Sequence, residues 1–77
     1  MFQNDWIDNS VILDFEMPKV LKNTIIEIEE AYQNKDDIEY NILSDTLDVL
    51  CKHYCAEGIL TKKQWDLVCQ RYPMVSL

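Results

Sequence analysis

Glycine occurs once in the 77 residues, proline twice and histidine once. One glycine cannot build a phosphate-cradling loop, which needs several backbone positions free of a Cβ. Positive charge is also scarce: seven Lys and Arg stand against fourteen Asp and Glu, a net charge of −7. The imbalance is uneven, at −9 over residues 1–57 and +2 over residues 58–77. Duplex affinity rests on cations that neutralise phosphates, so a nucleic-acid partner is not expected. An acidic exterior steers instead toward a protein with a basic surface. No stretch reaches 18 uninterrupted apolar residues, and the start, MFQNDWIDNS, has neither a basic lead nor an apolar run of signal length. Neither a membrane span nor a secretory leader is expected, and the expected setting is cytoplasmic. The three cysteines are odd in number, and parallel Cβ vectors make a bridge between Cys51 and Cys55 awkward. All three are expected as reduced thiols.

At 48% hydrophobic and 27% charged residues the composition is that of a folded chain. The length allows one domain, residues 1–77, whose core nets about 3 to 5 kcal/mol. The pattern predicts an all-α fold: a small three-helix bundle, built as an antiparallel helical hairpin plus a short C-terminal helix. A segment over residues 1–17 precedes it, extended or forming a short strand near Val11 to Phe15. Pro18 suits the first turn of a first helix over 18–34, where Leu21, Ile25, Ile28 and Tyr32 recur at helical spacing. Lys19, Lys22, Glu27, Glu29 and Glu30 fall on its outer face, with Ile26 stranded among them.

A short link leads to the central helix, 37–57, with Asp36 as its cap and Glu39 completing a capping-box-like pair. Gly58 stands where a left-handed C-terminal residue is wanted. Thr61 and Gln64 make a T-x-x-Q capping box, and the third helix is expected over 62–72, ended by Pro73. Trp65, Val68, Cys69 and Tyr72 share its inner face. The apolar tail MVSL is expected to dock on the domain or to belong to a partner site.

The central helix organises the rest. At about 100° per residue, Tyr40, Leu43, Leu47, Leu50 and Tyr54 form one apolar stripe, with Cys51 and Cys55 at its edge. Ile38, Ile42, Val49 and Ala56 form a second stripe on roughly the opposite side. The first face is covered by the other two helices. The second face is the natural place for Trp6 and Phe15, each worth on the order of 2 to 3 kcal/mol when buried; if they do not cover it, the helix is itself an interface.

Chemistry is sparse. Cys51, Cys55 and Cys69 offer three sulfurs, and His53 points about 160° away from the first two on a regular helix, so zinc lacks a fourth convergent ligand. The same geometry rules out a Cys–His nucleophilic pair on that helix. The adjacent pairs Glu29–Glu30 and Asp36–Asp37 read as solvation and capping. No cofactor and no catalytic residue is expected.

The function expected is therefore a non-enzymatic, acidic protein-interaction domain that binds and regulates or neutralises a protein partner. Immunity proteins, antitoxins and phage inhibitors share this size and sign as a matter of general character. The candidate partner-binding residues are Ile38, Ile42, Asp45, Val49, His53, Tyr40 and Tyr54, the tyrosines as aromatic anchors. The alternative is a self-associating module, a homodimer through the second apolar face.

Overall fold

The computed structural model describes residues 6–74. The expected docking of the tail beyond Met74 lies outside the described residues. Three helices make up the fold: α1 (Lys19–Gln33), α2 (Asp37–Ala56) and α3 (Lys62–Arg71). No strand occurs among the described residues; Val11 to Phe15 is irregular chain with a bend at each end. The chain is a small all-α three-helix bundle.

Local chemistry sets the helix ends. Pro18 is the N-terminal cap of α1 and not its first turn; its carbonyl accepts from Lys22 N–H at 3.0 Å. Asp36 caps α2 by accepting Glu39 N–H at 3.1 Å. The capping box at α3 is complete, with Gln64 N–H on Thr61 Oγ1 at 3.0 Å and Thr61 N–H on Gln64 Oε1 at 2.9 Å.

Both α1 and α2 end in the same paired-bond motif. After α1, Lys35 N–H bonds Tyr32 O and Asp36 N–H bonds Ala31 O; after α2, Gly58 N–H bonds Cys55 O and Ile59 N–H bonds Tyr54 O. The motif requires a left-handed residue, supplied by Gly58 at φ 78° and by Lys35 at φ 57°. A Cβ at Gly58 would meet no atom within 4 Å. Gly58→Ala is therefore expected to cost only the backbone term, about 1 kcal/mol, read as a shift in urea midpoint with unchanged helicity. A much larger loss would show that the site is crowded.

α2 packs against both α1 and α3, while those two make no close backbone approach to each other. Side chains join them instead: Tyr72 Oη donates to Glu29 Oε2 at 2.7 Å and accepts from Arg71 Nε at 3.1 Å. Glu29 is thus half-buried and tied to α3, in contrast to its expected place on the outer face of α1.

The N-terminal segment lies against α1 and the end of α3. The Trp6 ring packs on Tyr32 and Tyr40, at centroid distances of 5.7 and 5.1 Å, and Tyr40 Oη donates to Trp6 O at 3.1 Å. Asp8 N–H bonds Arg71 O at 2.9 Å, and the Arg71 guanidinium donates back to Val11 O at 2.8 Å. Leu13, Phe15 and Met17 join the same core. The expectation that Trp6 and Phe15 cover Ile42 and Val49 is overturned. Tyr40, on which Trp6 packs, sits about 160° around α2 from Ile42, and Phe15 packs on the same core, so the segment closes the core side and leaves the second face bare.

Leu21, Ile28, Tyr40, Leu47, Cys51 and Val68 form the fully buried centre. Each such aliphatic side chain contributes about 1.5 to 3 kcal/mol of burial.

Candidate protein-docking face

Ile38, Ile42 and Val49 on α2 are 64%, 55% and 58% exposed. They lie in one line on a single helix, with exposed Asp45, Lys52, His53 and Ala56 between and beside them. Other large apolar residues are also exposed, among them Ile12, Ile26 and Met74. Those are dispersed over different elements, which is ordinary for a protein surface; Ile38, Ile42 and Val49 instead share one helix face. The helix is rigid beneath it, because the opposite face carries Tyr40, Leu43, Leu47 and Cys51 in the core.

The seven expected contact residues do not all fall on this face. Ile38, Ile42, Asp45, Val49 and His53 do. His53 Nε2 lies 3.1 Å from Glu57 Oε2 one turn on, with both side chains exposed. Tyr40 is a correction: it is 0% exposed and its hydroxyl is spent on Trp6 O, so it cannot anchor a partner. Burial raises its pKa well above the tyrosine range. Tyr54 is half-buried and packs against the core from the opposite side, its ring edge-on to His53 at 5.6 Å.

Lys52 also stands exposed on this face, although the sequence reading named Asp45 and His53 there and not Lys52. The signal was the spacing: Ile38, Ile42, Asp45, Val49, Lys52 and Ala56 follow one another at intervals of 4, 3, 4, 3 and 4, the pattern of a helix-pairing seam.

A second feature is a cleft of about 180 Å³ between α2 and the end of α3, lined by Ser44, Asp48, Cys69, Tyr72 and Pro73 among others. On its wall Asp48 Oδ1 accepts from Trp65 Nε1 at 2.8 Å and from Cys69 Sγ at 3.4 Å. Burial, and then the Asp48 carboxylate, push the Cys69 thiol up to about 11. A thiol held protonated at neutral pH is a poor nucleophile and a poor metal ligand. Burial likewise pushes Cys51 up to about 12. Among the described residues no group of three His, Cys, Asp or Glu side chains is placed to hold a metal ion, and no helix is long and apolar enough to cross a membrane. No protein-family model matches the chain, and no curated protein and no solved structure is significantly similar to it.

Proposed function

We propose that this protein is a non-enzymatic interaction domain that binds and regulates or neutralises a protein partner through the outer face of α2. The observation that carries this reading is that Ile38, Ile42 and Val49 stand in solvent along one helix face although the chain has large apolar side chains to spare. Trp6, Leu13 and Phe15 cover the opposite side of the bundle instead. Burying the three exposed side chains against a partner is worth on the order of 1 kcal/mol or more apiece. The net charge of −7 adds long-range steering toward a basic protein surface, felt in the association rate more than in the final affinity. Immunity proteins, antitoxins and phage inhibitors are the functional classes in which a small acidic domain acts by such binding alone.

Affinity capture tests the reading, comparing the wild-type chain with the double substitution Ile42→Glu, Val49→Glu. Both sites are exposed, so helicity should hold while the specifically retained protein is lost, and its association rate with wild type should fall as salt is raised. Identical retention by the two forms, or a rate indifferent to salt, would sink it.

A further inference from the structure

We propose that the outer face of α2 is occupied by a second copy of this chain, in an antiparallel two-fold pairing that sets Asp45 of each copy beside Lys52 of the other. The inference rests on the reading of that face as a docking surface and names its occupant while the protein partner is absent.

The spacing of the stripe comes first. Residues alternating at 4 and 3 along α2 stay on one line when two helices wrap around each other, with Ile42, Val49 and Ala56 in one set of positions and Ile38, Asp45 and Lys52 in the other. Ala56 at one end lets two backbones approach closely. Charge selects the occupant. The chain as a whole carries −7, yet the only members of the seam charged at neutral pH are Asp45 and Lys52, which cancel. Neither forms an ion pair within its own chain among the described residues. Along a neutral line two like-charged molecules can meet, since repulsion between their acidic remainders is screened over about 8 Å at physiological ionic strength.

Direction follows from the same two residues. Asp45 and Lys52 stand seven positions apart, two helical turns, and so lie on the same edge of the face. A two-fold axis perpendicular to the helices brings like edges together and reverses the direction of one copy. With the axis near Val49, Asp45 of one copy falls beside Lys52 of the other, twice, and the two Val49 side chains pack at the centre. A parallel pairing would set Asp45 against Asp45 and Lys52 against Lys52, which costs energy at both levels. The sequence is therefore self-complementary in one direction only.

Sedimentation of the full chain from low to high micromolar concentration tests this, with circular dichroism as the check on folding. Wild type should dimerise. Val49→Glu should weaken the dimer at least about 100-fold at unchanged helicity, since it places two carboxylates at the centre of the contact. Asp45→Lys and Lys52→Asp should each weaken it about tenfold, and the double exchange Asp45→Lys, Lys52→Asp should restore it. A strictly monomeric wild type would overturn the second copy while leaving the docking face to the capture comparison. A dimer that withstands Val49→Glu would overturn the pairing through this face. Single charge exchanges without effect would overturn the antiparallel direction.

Discussion

Leu47→Ala is expected to leave the chain without a stable fold at 37 °C, whereas truncation of Val49 two residues away should leave the fold intact. Leu47 is 1% exposed and lies on the face of α2 that receives α1 and α3. Removing its three terminal carbons from such a site forfeits transfer free energy and leaves a cavity, for about 2 to 5 kcal/mol. A core of this size nets only about 3 to 5 kcal/mol, so the loss is comparable to the whole. In a domain of this length each kcal/mol moves the thermal midpoint by about 4 to 8 °C, and a fall of 10 °C or more should be seen by circular dichroism. A midpoint within a few degrees of wild type would show that Leu47 is not central to the core.

The second large effect is loss of stability at alkaline pH. Cys51 ionises ordinarily at 9.0 and in the fold at about 12, because burial disfavours the thiolate. Tyr72 moves from 10.0 to about 12, again by burial first, with its hydrogen bonds to Arg71 and Glu29 pulling in opposite senses. Cys69 moves the same way, to about 11, and Tyr40 is raised too. In each case the folded chain holds its proton more tightly than the unfolded one. The stability this confers is complete below about pH 9 and drains away between pH 9 and 12. Each pH unit between the two values of a group corresponds to about 1.4 kcal/mol, and several groups act in one direction. Urea midpoints should be flat from neutral pH to the mid-eights and then fall steeply. A midpoint still flat at pH 11 would contradict the burial of these groups.

What the sequence disclosed about this fold was local. Asp36, Gly58 and the Thr61–Gln64 pair act within one turn of their own positions, so the three helices fall within a residue or two of where the capping chemistry puts them. The two faces of α2 were legible for the same reason, because helical periodicity is a local property. Lys35 was not, since a lysine gives no sign that its backbone will be left-handed; its conformation follows from the bonds that Tyr32 O and Ala31 O accept. The path of the N-terminal segment was not legible either. Trp6 meets Tyr40 and Asp8 meets Arg71, separations over which no periodicity carries. Arg71 counted in the sequence only as one positive charge. In the structure its guanidinium holds Val11 O and the Tyr72 hydroxyl, with Glu29 Oε2 at 3.6 Å. Tyr40 and Tyr54 could not be told apart as anchors, because a tyrosine at the edge of a stripe is buried or not according to what lands beside it, and Trp6 lands beside Tyr40.

That placement of the N-terminal segment also orders events in time. When Trp6 to Val11 are polymerised, Tyr40 has not been made and Arg71 is sixty or more residues away. The α1–α2 hairpin needs only near neighbours and can assemble at once, but Asp8 N–H and Val11 O have no partner until α3 is complete. The stretch from Asp8 to Val11, made ahead of all three helices, is thus the last to be fixed, and a nascent chain released short of Arg71 would leave it without its backbone bonds.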